Sequence, residues 1–400
     1  MNVLIVHQNF PGQFPHIADA LLARGDKVAA IGGDTAKGRP GVDLRRWKIG
    51  RGTTPNILPA AIRAEADLIR GEAAAMTALQ LKRDGFTPDV IIGHPGWGET
   101  VHLKEVWPTA RLILLGEMFY RSHGTDAGFD PEFSQPSFAE DMRINAKNAV
   151  QALAYSLADR IICPTKFQAS TFPAALQPLI RVQHEGIDLS KARRREGARV
   201  KLPGGRVLDG SKPVVTFVNR TLEPLRGFHI FMRALPAFLD AVPEAEVVII
   251  GREGTNGYGT TAPGGTTWKT LLLKELEGQL DMSRVHFLGT VPHTEMIDAF
   301  SISWAHVYYT YPFVLSWSLV EAMACECLIL GSETAPLHDA IQNQVEGLLL
   351  PFFNISALAA ALIQAVEHRL SYTDMRSTAR IRAFDEFSQC QGVTRWLAEI

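Results

Sequence analysis

The feature that most limits what this chain can become is a double series of short, β-branched apolar runs, each followed by a stretch of helical length. The first series is Val3–Val6, Val28–Ile31, Val90–Ile92, Arg111–Leu115, Arg160–Cys163 and Arg181–Gln183. The second is Val214–Val218, Glu246–Ile250, Val285–Leu288, His306–Tyr309, Leu328–Leu330 and Gly347–Leu350. Such runs are too short for helices, and their continuous apolar character fits strands buried on both faces of a parallel sheet. Helical patterns fill the gaps, clearest over Pro59–Asp84, Ala139–Ala158 and Lys166–Phe172. The alternation predicts an α/β fold with helices on both faces of each sheet. One core stops growing at roughly 250–300 residues, so 400 residues carrying two series predict two α/β domains.

The boundary falls after Asp188, in SKARRREGARVKLPGGRVLDGSKP, which is rich in charge, Gly and Pro and has no apolar period. This predicts an N-terminal domain over 1–190, a linker over 191–210 and a C-terminal domain over 211–384. The remaining residues, 385–400, carry Phe387, Val393, Trp396 and Leu397 at helical spacing. That face must be buried on one of the domains, and the N-terminal one is within its reach. With 40 Lys+Arg against 42 Asp+Glu, the net charge of −2 provides no global field for nucleic acid. The cluster Lys191, Arg193, Arg194, Arg195 reads as solvated linker. Four scattered cysteines without Cys-x-x-Cys spacing argue against disulfides and zinc and for a reducing cytoplasm. MNVLIVHQNF reads as a strand and not as a signal peptide, and no apolar run approaches the roughly 18 residues of a spanning helix.

Ligands of open parallel sheets bind beyond the C-terminal ends of the strands, so the loops after strands hold the candidate chemistry. The loop His7–Phe14 offers Gly12, and the loop Asn219–Gly227 offers Arg220 and Arg226 around Pro224. Neither contains Gly-x-Gly-x-x-Gly, which speaks against an NAD-dependent dehydrogenase. The two guanidinium groups precede a helix starting near Phe228 and are either a diphosphate clamp or solvated loop arginines. In Thr310–Cys325 a helix begins near Ser318, with Glu321 one turn in. Its carboxylate either accepts ligand hydroxyls or closes a Ser318-x-x-Glu321 capping box. His94 and Glu117, in the loops after Val90–Ile92 and Arg111–Leu115, are candidates to orient an acceptor hydroxyl or contact a donor sugar. Ser122–Phe133 either shapes an acceptor site or packs as an Ω-loop.

Taken in order, these segments resemble the family-4 retaining glycosyltransferases. The resemblance is carried by His184-Glu185-Gly186-Ile187-Asp188, the Arg220–Gly227 loop, Val285–Gly289, Leu319–Cys325, Leu328–Ser332 and Glu346–Leu349. It implies the GT-B architecture, two Rossmann-like domains facing across a cleft. It also implies transfer from a nucleoside diphosphate sugar to a carbohydrate or lipid-linked acceptor, in cell-surface glycan synthesis, with retention. Neither metal nor cofactor is implied, and no Asp-x-Asp occurs. By the same resemblance Arg220 and Arg226 hold the diphosphate, Glu321 the ribose, and the backbone at Leu315 and Ser316 the phosphates. Gly251 and Arg252 flank the nucleotide, and Gly12 lets the first loop approach the donor. Phe313 stands where the family has a glutamate that touches the donor sugar, and Glu326 where it usually has glycine. An epimerase or phosphorylase on the same scaffold, or a non-catalytic nucleotide-sugar-binding protein, are the competing readings. Arg63, Arg70, Lys82 and Arg83 form a diffuse basic face on the Pro59–Asp84 helix, read as solvated, with peripheral membrane contact left open.

Overall fold

The computed structural model describes residues 1–135, 137–254 and 257–400. The chain divides into two compact units, Met1–Gly186 with Gln389–Ile400, and Ile187–Ser388.

Unit 1 is built on seven strands: β1 (Asn2–Val6), β2 (Lys27–Gly32), β3 (Asp43–Arg46), β4 (Val90–Gly93), β5 (Arg111–Leu115), β6 (Arg160–Cys163) and β7 (Ile180–Val182). Their order is 3-2-1-4-5-6-7, every pair parallel. Side chains alternate across the sheet as a period of two demands. Val3 and Ile5 of β1 join one core with Phe14, Ile17, Leu21 and Trp396, while Leu4 and Val6 join another with Ala74, Ala78, Leu81 and Tyr155. Both faces are therefore covered by helices. The terminal helix Gln389–Glu399 packs here: Trp396 is fully buried, edge-on to Phe14 at 5.8 Å, and Glu399 forms an ion pair with Arg160, 3.0 Å from Nε.

Unit 2 opens with a small antiparallel hairpin, β8 (Val200–Lys201) and β9 (Val207–Leu208). Six parallel strands follow: β10 (Val214–Thr221), β11 (Glu246–Arg252), β12 (Val285–Gly289), β13 (Ala305–Tyr308), β14 (Leu328–Ser332) and β15 (Leu348–Leu350), in the order 12-11-10-13-14-15. In both units the first strand of the main sheet is central, so the order reverses beside it. That is the topological position at which open α/β sheets bind ligands.

Three expectations change, and one strand escaped the sequence pattern. The stretch 191–210 is not a linker: Ala192, Val200, Leu202 and Leu208 share a core with Ile297, Phe300 and Ile302. Charged residues separate these few apolar side chains, so no period betrays them. The chain leaves unit 2 at Ser388 and not at 384, because helix Thr373–Phe387 buries Ala379, Ala383 and Phe387 in that unit's core. Ala139–Ala158 is two helices, Phe138–Ala146 and Ala149–Ser156. Asn148, at the break, exchanges two hydrogen bonds with the backbone of Tyr120. Edge strand β3 went unread, since its sequence Asp-Leu-Arg-Arg is half-exposed and carries no apolar run. Among the described residues, no helix is long and apolar enough to cross a membrane.

Candidate functional site

In unit 1 the loops after β1, β4 and β5 lie side by side because their strands are neighbours. His7 Nδ1 accepts from Asn9 N at 2.9 Å, which leaves its proton on Nε2 to donate to Gln13 Oε1 at 2.7 Å. Gln13 Nε2 then donates to Glu117 Oε1 at 3.3 Å. His94 Nδ1 accepts from Gly96 N at 3.0 Å, and its Nε2 donates to Glu117 Oε2 at 3.2 Å. One carboxylate thus anchors two imidazoles, one directly and one through an amide. Desolvation drives the His7 pKa down to about 3, and the neighbouring His94 adds to the effect. Burial resists ionisation of Glu117, yet the hydrogen bond and charge of His94 hold its carboxyl below the ordinary value. His94 is buried and stacks on Trp97 at 4.5 Å.

Gly12 has a packing reason of its own. Its φ is +50°, and a Cβ there would lie 2.3 Å from the His7 ring. The structure thus brings Gly12, His94 and Glu117 to one place and adds His7 and Gln13. The signal for His7 was a polar residue directly after β1 ends at Val6, whereas Gln13, seven residues after Val6, carried none.

In unit 2, β10 runs to Thr221, so Arg220 is at a strand end and not in the following loop; it is exposed. A turn at Pro224–Arg226 and Gly227, at φ +68°, lead into helix Phe228–Ala241. A Cβ on Gly227 would strike Tyr309 at 2.2 Å. Arg226 is buried, and its Nη1 donates to Thr310 Oγ1 and Val314 O, both at 2.9 Å, with Tyr308 Oη at 3.5 Å. Its Nε and Nη2 make no hydrogen bond among the described residues. The guanidinium faces the Phe313 ring at 5.5 Å. Phe313 meets Tyr258 at 5.3 Å, and Arg220 covers Tyr258 at 5.8 Å while donating to its hydroxyl at 3.2 Å. Two arginines and two aromatic rings, the rings tilted by 50° to each other, therefore form one contiguous cluster. Buried Glu223 ties the adjoining segment down, accepting from Tyr258 N at 3.2 Å and Gly259 N at 2.8 Å.

Gly251 and Arg252 end β11 instead of following it. A Cβ on Gly251 would come within 2.7 Å of Asn219 O, and Arg252 Nε donates to Thr221 Oγ1 at 3.2 Å. The helix carrying Glu321 starts at Trp317, with Ser316 at the cap position and Ser318 already inside. The capping box does not form. Ser316 N donates to Tyr308 Oη at 2.8 Å, its Oγ pairs with Ser318 Oγ at 2.6 Å, and Leu315 beside it is half-buried. The buried Glu321 carboxylate takes His293 Nε2 at 2.6 Å. Glu223, Tyr258 and His293 carried no motif and were missed.

Comparison with known proteins now bears on this arrangement. Residues 24–192 match the model of the glycosyl transferase family 4 group, and 202–382 that of glycosyl transferases group 1. A D-inositol 3-phosphate glycosyltransferase of Streptomyces bingchenggensis is 25% identical over 375 residues, 84% of this chain and 75% of that one. The Rhodococcus jostii protein of the same name is 28% identical over 186 residues, 46% of this chain and only 38% of that relative's length. Sucrose-phosphate synthase from Thermosynechococcus elongatus superposes with a TM-score of 0.75 at 15% identity, over 100% of this chain and 98% of that one. Anabaena Alr3699/HepE in complex with UDP and glucose gives 0.64 at 18% identity, over 100% and 99%. With two glycosyltransferase models end to end over most of its length and a fold shared over all of it, the chain belongs to the family-4 glycosyltransferases and has their GT-B fold.

Proposed function

We propose that this glycosyltransferase moves a sugar from a nucleoside diphosphate sugar to a hydroxyl of a carbohydrate or lipid-linked acceptor, with retention and without a metal. The observation that carries the reading is Arg226, a buried cation fixed through Nη1 alone, whose Nε and Nη2 stay uncommitted among the described residues. As the anomeric C–O bond breaks, the leaving diphosphate gains negative charge. A cation already held in place meets that charge without reorganising, and it acts most strongly in a buried setting. Arg220, exposed at the end of β10, supplies the second positive charge. Ser316 and Leu315 bring backbone toward the phosphates, Gly251 and Arg252 flank the nucleotide, and Glu321 accepts from the ribose. The complex of Anabaena HepE with UDP and glucose supports this donor class.

In unit 1, Glu117 sets the orientation of His94, and we assign this pair to the acceptor hydroxyl or the donor sugar. Phe313 puts an aromatic ring where related chains carry a sugar-contacting glutamate, so sugar recognition leans on ring faces and less on a carboxylate. The test is incubation with UDP-, GDP-, ADP- and dTDP-sugars, following nucleoside diphosphate release with and without EDTA. Release that survives EDTA is expected; a requirement for divalent metal overturns the arginine account. Binding without turnover across a broad acceptor panel replaces the transferase by a nucleotide-sugar-binding protein. Work on lipid-linked acceptors at the inner face of a membrane requires flotation with anionic liposomes, and absence of flotation rejects it.

A further inference from the structure

Glu321 divides its carboxylate between two directions. Oε1 accepts from His293 Nε2 at 2.6 Å. Oε2 has no hydrogen-bond partner among the described residues, and it is not sealed from solvent. His293 opens helix His293–Ile302, directly after β12, and its side chain is half-exposed while Glu321 is 9% exposed. A terminal carboxylate torsion is broad and roughly two-fold. Without a partner on one oxygen, the group swings between orientations; with one, its second oxygen keeps a single direction.

We infer that His293 is a positioning residue for the donor nucleotide: its imidazole holds Glu321 by Oε1 and so aims Oε2 at the ribose hydroxyls. The inference rests on the nucleotide-sugar reading above and adds the group that makes the ribose contact directional. Binding energy is gained when a contact is ordered before the ligand arrives, because the ordering cost is already met.

The charge state of His293 follows from what surrounds it. The hydrogen bond to the Glu321 carboxylate raises its pKa above the ordinary value, against desolvation and against the positive charges of Arg195 and Lys191. Arg195 is itself paired with Asp298 at 3.1 Å on the same helix as His293. The positive end of that helix also disfavours a cation at its first residue. Glu321 outweighs these, so the imidazolium is an obligate donor to Oε1 in the acidic part of the imidazole range. A neutral ring can present Nε2 as an acceptor instead, and the hold on Glu321 weakens as pH rises through the raised pKa.

The experiment is calorimetric titration with UDP, GDP and ADP, and with their 2′,3′-dideoxy counterparts, from about pH 6 to about pH 8.5, across the imidazole range. Wild type, His293→Gln and Glu321→Gln are compared, with thermal unfolding of each as a folding control. The affinity of wild type for the ribonucleotide it prefers falls about tenfold over that range, the equivalent of one hydrogen bond to a charged group. His293→Gln binds that ligand more weakly and without this pH dependence. The dideoxy ligand shares the titration of the diphosphate itself, yet shows neither the extra pH dependence nor any difference between wild type and His293→Gln. Equal pH profiles for wild type and His293→Gln, or equal losses for ribose and dideoxy ligands, overturn the positioning role while leaving nucleotide binding intact. A folded wild type that binds no nucleoside diphosphate at any pH overturns the nucleotide-sugar reading, and this inference falls with it.

Discussion

Arg226 offers the most demanding test of the proposed donor site. Substitution by Met keeps the length and apolar body of the side chain and removes the guanidinium. Two consequences follow at different scales. Structurally, Val314 O and Thr310 Oγ1 lose a donor at 2.9 Å inside a buried pocket. A buried acceptor left without its partner costs about 1–3 kcal/mol, and the hydroxyl of Thr310 can turn to recover part of its share. A loss of about 2 kcal/mol lowers the melting temperature of a unit of this size by roughly 4–8 °C. Catalytically, the variant loses a fixed donor aimed at developing negative charge, worth about 2.7–4 kcal/mol, or 10²–10³ in kcat. Arg226→Lys keeps a charge but has no fork to hold Val314 and Thr310 while also reaching a ligand, so its kcat falls between the two. Nucleoside diphosphate release at saturating donor gives kcat, and calorimetry gives the stability change. If Arg226→Met unfolds earlier but keeps kcat and KM within twofold, Arg226 is only a pin for the segment 310–314, and the clamp is refuted.

Other predictions follow from single contacts. Glu223→Ala removes the acceptor of Tyr258 N and Gly259 N, so hydrogen exchange at those two amides speeds at least about tenfold, the loss expected for a hydrogen bond to a charged group; unchanged protection refutes the tether. Gly12→Ala forces a left-handed φ of +50° on a residue with a Cβ that meets the His7 ring at 2.3 Å. The backbone alone costs roughly 1–2 kcal/mol, and an unshifted melting temperature contradicts the packing. Fully buried His306, held by Thr216 Oγ1 at 3.0 Å, is depressed by desolvation to about 3 from the ordinary 6.5. The unfolded chain then binds a proton that the folded one refuses, so its stability share is complete above pH 6.5 and drains as pH falls toward 3. By pH 5 the loss is about 2 kcal/mol, and urea unfolding of His306→Gln shows a shallower acid slope; equal slopes reject the account.

How much of this was open to a reader of the sequence depends on burial. Strands enclosed on both faces announce themselves, as Val-Val-Thr-Phe-Val of β10 and Leu-Ile-Leu of β14 do, because nearly every position is apolar. Asp43–Arg46 pairs on one edge only and keeps polar residues, so pattern had nothing to register. The segment 191–210 fails for a related reason: its few buried residues follow neither helical nor strand spacing, although they pack into the core of unit 2. The break at Asn148 is set by the backbone of Tyr120, 28 residues away, and a local helical pattern carries no trace of it.

The site was legible as residue types after strands and illegible as partnerships. Arg226 could be placed near a helix start, but its anchors are 84 and 88 residues later and adjoin it only because β13 pairs with β10. Ser318-x-x-Glu321 admitted two readings, and a helix start at Trp317 removes the capping box by putting Ser318 inside the helix. Phe313 shows how a departure from a family pattern gains meaning from its neighbours. A carboxylate facing Arg226 from that position would pair with the guanidinium and compete with a diphosphate for it. The ring of Phe313, 5.5 Å from the guanidinium, attracts the cation through its quadrupole without neutralising it. Arg226 thereby keeps its full positive charge, the property that the proposed diphosphate contact requires.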